Sequence, residues 1–169
     1  FADNAAGTTT ITPAQITAIT NTGTAVTLQA NTDVTLAAAS PITTVAGGAG
    51  GAITMQAGRS VLLNSNITTD NGNLTITAND PGAVSNRDAG SAVIAMASGA
   101  SINAGSGAIN MTLSSAGVGP TGDITLGGLT TTGTVNVRNQ GAGAILRNAT
   151  ATPIAGSSIT LSAGSIGTN

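Results

Sequence analysis

Apolar and polar residues alternate in short bursts along this chain, and the bursts share one form. The units "VTL" at 26–28, "ITM" at 53–55, "LTI" at 74–76, "INM" at 109–111, "VNV" at 135–137 and "ITL" at 159–161 each place a polar residue between two aliphatic ones. Their starts lie 27, 21, 35, 26 and 24 residues apart. Period-two alternation marks a strand with one buried face. A second apolar burst follows each of the first five units, at "DVTL" 33–36, "SVLL" 60–63, "AVIAM" 92–96, "DITL" 123–126 and "AIL" 144–146. A third apolar position comes next, at Ile42, Ile67, Ile102, Leu129, Ile154 and Ile166, and Ile19 fits it before the first full repeat. Three short strands per repeat emerge.

A repeat of this size is too small to bury its own apolar face, so copies must stack to share one core. The pattern predicts an all-β chain, a parallel β-helix (β-solenoid) of six to seven coils with three-strand rungs. Each coil adds one strand spacing of ~4.8 Å, giving a rod of roughly 30 Å. Residues 1–18 read as a partial coil or edge segment and 19–169 as the β-helix. Segments 79–91 and 114–122 are rich in Pro, Gly, Ser and Asn and are predicted as loops leaving the coil. Many Gly and Thr, and no sustained 3.6-residue period, argue against helix throughout.

Composition narrows the function classes. Only 6% of the 169 residues are charged, six Asp and four Arg, with no Lys, Glu or His. Ordinary domains carry about 25%. Four cations cannot neutralise a nucleic-acid backbone or form a polybasic membrane anchor. With no Cys there are no disulfides and no thiolate metal sites. No apolar run approaches the roughly 20 residues of a membrane-spanning helix, and no secretory leader pattern is present. One Phe and no Tyr or Trp leave the core to Ile, Val, Leu, Met and Ala.

The units "GNLTITA" 72–78, "AVTLQANTDVTLAA" 25–38 and "GDITLGGLTTTG" 122–133 resemble the repeats of filamentous haemagglutinin-like adhesins, the large exoproteins of bacterial two-partner secretion. The resemblance runs from about residue 19 onward. It implies a right-handed β-helix, exported through the outer membrane to the cell surface or beyond and used in adhesion. The longer motifs of that family's N-terminal secretion domain are not found, so the chain reads as rod.

Candidate sites are few. Asp80, Asn86, Arg87 and Asp88 form the densest polar set and read as a recognition loop or as a solvated loop with a local ion pair. Asp70, Asn71 and Asn73 offer oxygens to Ca²⁺, although Asp and Asn at a coil corner also serve turns. Asn66, Asn73, Asn110 and Asn148 each open an Asn-x-Thr glycosylation tripeptide, a number that chance also supplies. Ile159, Leu161 and Ile166 sit at the last coil and read as an assembly edge.

Enzymatic activity and cofactors are not expected. The acids are scattered, and Asp33 and Asp123 start equivalent strands several coils apart, beyond the ~5–9.5 Å of paired-carboxylate hydrolysis. Three non-enzymatic readings remain. The first is an extracellular adhesin stalk or surface scaffold whose partners are a host-cell surface or glycan. The second is a filament subunit joining itself end to end by β-augmentation. The third is an ice-binding solenoid, disfavoured because its Thr-x-Thr words fall in different strands, so that no regular array is expected.

Overall fold

The computed structural model describes residues 7–83, 86–149 and 151–168. Every strand predicted from alternation is found, and each pairs with its counterparts in neighbouring repeats. The first coil is β1 (Val26–Ala30), β2 (Val34–Leu36) and β3 (Ile42–Thr43), and the second is β4 (Ile53–Ala57), β5 (Val61–Leu63) and β6 (Ile67–Thr68). The third holds β7 (Leu74–Ala78), β8 (Ala92–Met96) and β9 (Ser101–Asn103), and the fourth β10 (Ile109–Leu113), β11 (Thr121–Leu126) and β12 (Gly128–Thr130). The fifth is β13 (Thr134–Asn139), β14 (Ala144–Arg147) and β15 (Ile154–Ala155), and the sixth has β16 (Ser158–Ser162) and β17 (Ser165–Thr168). First strands pair only with first strands, second with second and third with third, always parallel, in sheets of six, six and five. The molecule is a parallel β-helix with three sides.

Register makes the core. On side one, Val26, Ile53, Leu74, Ile109, Val135 and Ile159 stack in one column, and Leu28, Met55, Ile76, Met111, Val137 and Leu161 in the next. Side two contributes Val34, Val61, Ile94, Ile124, Ile145 and Ile166, and side three Ile42, Ile67, Ile102, Leu129 and Ile154. In the middle coils these side chains are fully buried. The alternate residues of side one face outward in two columns. Thr27, Thr54, Thr75, Asn110, Asn136 and Thr160 form the first; Gln29, Gln56, Thr77, Thr112, Arg138 and Ser162 form the second.

The corner from side three to side one explains why Gly recurs in "ITTDNGNLTI" and "INAGSGAINM". A Cβ on Gly72 would lie 2.4 Å from the Gly51 carbonyl oxygen, and one on Gly107 would lie 2.3 Å from that of Gly72. Successive coils approach there too closely for any side chain.

Three expectations are corrected. Helix is not absent: α1 (Pro13–Thr20) lies against β3 at the N-terminal end, with Ile16 and Thr20 buried. Pro13 is the first residue of the helix, where its missing N–H costs nothing. Thr12 and Gln15 close a reciprocal capping box, with Thr12 N–H donating to Gln15 Oε1 at 2.8 Å and Gln15 N–H to Thr12 Oγ1 at 3.3 Å. Ile19 is accordingly exposed on the helix, and Thr20 joins the coil through its carbonyl, which accepts the Gly51 N–H at 2.9 Å. Third, Ile166 belongs to side two, paired with Ile145, not to side three.

The columns generate a direct test. Leu74→Asp buries a carboxylate between Ile53 and Ile109, at a cost of several kcal/mol. The neighbouring outward substitution Thr75→Asp should change stability by no more than about 0.5 kcal/mol. Urea denaturation of the two variants checks the register; equal losses would contradict it.

Candidate functional site

The densest polar set is not a free loop. Its root, Asn79, has φ +53°, is fully buried, and donates through Nδ2 to the carbonyls of Ser114 (2.8 Å) and Gly119 (3.0 Å), clamping the base of the second insert. Asp80 is also buried; Oδ1 accepts the Gly82 N–H and Oδ2 the Gln56 side-chain amide. The segment then runs back toward the first two coils. Arg87 donates through Nε to Gly58 O (2.6 Å), through Nη1 to Asp88 O and through Nη2 to Gly90 O. Thr32 Oγ1 donates to Asn86 O and accepts the Asp88 N–H, and Arg59 Nη1 donates to Ala89 O. The described residues of the segment expected to leave the coil, 79–83 and 86–91, form a strap along the corner between sides one and two. Of the four residues predicted for recognition, Asn86 and Asp88 keep exposed side chains that bond to no described residue.

Beneath the strap lies the ion pair of the described residues. Arg59 Nε and Nη2 donate to Asp33 Oδ1 (3.0 Å) and Oδ2 (2.6 Å), and the Ser60 N–H adds a bond of 2.9 Å to Oδ1. Burial pushes the Asp33 carboxyl upward, but the hydrogen bonds from Arg59 and Ser60 and the positive charges of Arg59 and Arg87 outweigh it, holding the carboxyl below its ordinary range. The hydrogen bond to Asp33 correspondingly raises Arg59. Asp123, at the matching place in the fourth coil, accepts the Ala144 N–H at 2.7 Å. Both acids thus continue the ladder between one coil and the next.

The calcium candidates have the same kind of employment. Asp70 Oδ2 accepts N–H bonds from Ala46 (2.5 Å) and Gly48 (2.9 Å), Asn71 Oδ1 from Ser106 (2.7 Å), and Asn73 Oδ1 from Ala108 (2.8 Å). Asp70 and Asn71 hold φ of +51° and +76°, as a tight corner requires. Among the described residues no group of three or more His, Cys, Asp or Glu gathers in metal-binding geometry.

The four tripeptide asparagines differ in availability. Asn66 and Asn73 are exposed and accept through Oδ1, leaving their amide nitrogens bonded to no described residue. Asn110 is half-buried and accepts from Asn136, whereas Asn148 uses its Nδ2 on the Met96 carbonyl at 2.8 Å. At the last coil, Ile159 and Ile166 are 44% and 56% exposed and Leu161 is half-buried.

Two features escape a reading by composition. Arg147 falls in the inward column next to Leu126, with Nη2 donating to Ala151 O and Thr152 O and with Nε buried and unpartnered. Arg138 stands on the open outer face of side one and bonds to no described residue. Its signal was its place in the alternation, two residues after Asn136 on the outward phase.

The Asp33–Arg59 pair has a defined pH signature. Because folding lowers the Asp33 pKa, the pair stabilises above the unfolded-state value of about 4 and loses that contribution as pH falls through the lower folded-state value. With both side chains about three-quarters buried, Asp33→Asn should cost about 1 kcal/mol at pH 7 and progressively less as pH falls below the unfolded-state value, measured by denaturation across that range. Comparison of the chain with protein-family models, with curated proteins and with solved structures finds no match in any of the three.

Proposed function

We propose that this chain is a section of an extracellular β-helical rod, a scaffold or adhesive stalk on the outside of a bacterium. The observation that carries the reading is how the polar groups are used. Asp33, Asp70 and Asp123 accept backbone N–H groups from adjacent coils, and Arg59, Arg87 and Arg147 donate to acceptors that fix the chain's own turns and strap. Chemistry-bearing side chains serve as staples between coils, and the apolar columns run unbroken from β1 to β16. Such a body transmits length and stiffness, and its outer faces present groups at a fixed repeat. An antibody raised against residues 114–122 should label thin projections outside the cell in electron micrographs. Label confined to the cytoplasm would refute the reading.

A second reading is joining end to end, supported by the apolar side chains of Ile159 and Ile166 left exposed on the last described coil. At one end α1 lies against side three and is followed by β1 on side one. At the other, the described coils finish on sides one and two with β16 and β17, where Ile159 and Ile166 are exposed. A following α1, β1 and β2 would therefore continue the spiral in step, setting Val26 on Ile159, Leu28 on Leu161 and Val34 on Ile166. In this reading another copy of the chain supplies those strands. Sedimentation velocity of the 169-residue chain over a hundredfold concentration range tests it: association growing with concentration supports it, and a constant monomer overturns it.

A further inference from the structure

The outer face of side one holds a shallow open trough over coils four to six, lined by Asn110, Thr112, Asn136, Arg138, Thr160 and Ser162. Three features bear on what this trough can bind. First, Arg138 is the arginine that makes no bond within the described chain; Arg59, Arg87 and Arg147 are all engaged. Second, the hydroxyls of Thr112, Thr160 and Ser162 bond to no described residue, while Asn136 donates to Asn110 Oδ1 at 3.0 Å and keeps its own Oδ1 unbonded. Third, the outward columns of this face contain one positive charge and no carboxylate, the described Asp residues being placed at corners, in the strap and, for Asp123, in β11 on side two. In a chain of net charge −2 this is a local reversal of sign.

The spacing of these groups restricts the ligand. Along the axis they recur every ~4.8 Å, and along each strand every ~6.7 Å. The axial step is close to the length of one sugar residue in an extended polysaccharide. A trough this open cannot enclose a small molecule, but a polymer laid along it meets hydrogen-bonding groups at matching positions on successive coils, so weak contacts add through avidity. No aromatic platform is present on the face, so hydrogen bonds and charge must supply the recognition. The planar guanidinium fork of Arg138 matches a carboxylate with two parallel bonds.

We propose that the outer face of side one binds an extended polysaccharide bearing carboxylates, with Arg138 holding a carboxylate and Thr112, Asn136, Thr160 and Ser162 contacting sugar hydroxyls. This rests on the reading of the chain as an exterior rod and adds a ligand class to it.

The probe is an oligogalacturonate of defined length, compared with its methyl ester, which keeps the sugar and removes the charge. Titration calorimetry should show binding of the acid form to the 169-residue chain and at least tenfold weaker binding of the ester. Arg138→Gln should lose at least tenfold toward the acid form and little toward the ester. Arg138→Lys should fall between, and Asn136→Ala should weaken both forms. Since Arg138 bonds to nothing within the described chain, its variants should keep the wild-type circular dichroism and urea midpoint. Equal affinity for acid and ester, unchanged binding by Arg138→Gln, or no binding of the acid form would each overturn the proposal. Any of these would leave labelling of the rod outside the cell unaffected, so the two readings fail separately.

Discussion

The whole molecule hangs on one constraint: the backbone hydrogen bonds of each coil must be met by the coil above and the coil below. Nothing else lies within reach, because a solenoid has no second layer. On the sides, the parallel ladders meet this need automatically. At the corners the strands stop, and side chains take over. Asn21 Oδ1 accepts the Val45 N–H, Asn66 that of Ser101, Asn71 that of Ser106 and Asn73 that of Ala108, while Asp33 does the same on another corner and Asp123 in the first half of β11. The abundance of Asn and the placement of Asp follow from this need to satisfy buried or half-buried backbone groups.

Stacking also accounts for the missing residue types. A column repeats its side chain about every 4.8 Å, so a column of Lys or Glu would set like charges directly beside one another, which destabilises a sheet. Amides escape the problem because each both donates and accepts. Gln29 donates to Gln56 at 2.8 Å and Asn136 to Asn110 at 3.0 Å, and hydroxyls fill the remaining outward places. Inside, the three sides meet across a space that stacked Ile, Val, Leu and Met fill completely, with Met55, Ile76 and Met111 at most 1% exposed. Low charge and absent aromatics are thus consequences of architecture.

What the sequence revealed was what period two encodes. Leu74 and Ile76 could be placed inward, and paired with Ile109 and Met111, because alternation fixes both face and register. The third side was harder: its strands are two or three residues long, so Ile154 and Ile166 look alike as isolated apolar positions although they belong to different sheets. The helix was legible too, in the Thr-Pro-Ala-Gln of residues 12–15, but overall Gly and Thr content outweighed four residues of capping chemistry. The strap was not legible, because Arg87 reaches Gly58 and Asn79 reaches Ser114 across long separations that local pattern cannot signal. As for the outer face, the Thr-x-Thr words were read one by one. The two-column array of side one is visible only when strands are stacked, and Gln29, Gln56 and Arg138 make it a mixed amide, hydroxyl and cation surface rather than a uniform threonine one.

Where function can reside follows from the same constraint. Inward columns are committed to the core, and a polar group there either finds a carbonyl, as Arg147 does with Ala151 and Thr152, or remains unsatisfied, as its Nε does. Corner side chains are committed to the ladder. Inserts leave only where the ladder permits, and the 79–91 segment, once out, is drawn back by Arg59 and Arg87. The outward columns, like the side chains of Asn86 and Asp88 in the strap, are free of these duties, and their geometry is dictated by the coil spacing. A surface built this way distinguishes partners by whether they repeat along its axis. Such a surface would favour extended, repeating partners over compact ones, and lengthening the rod by further coils would strengthen that binding without altering any single contact.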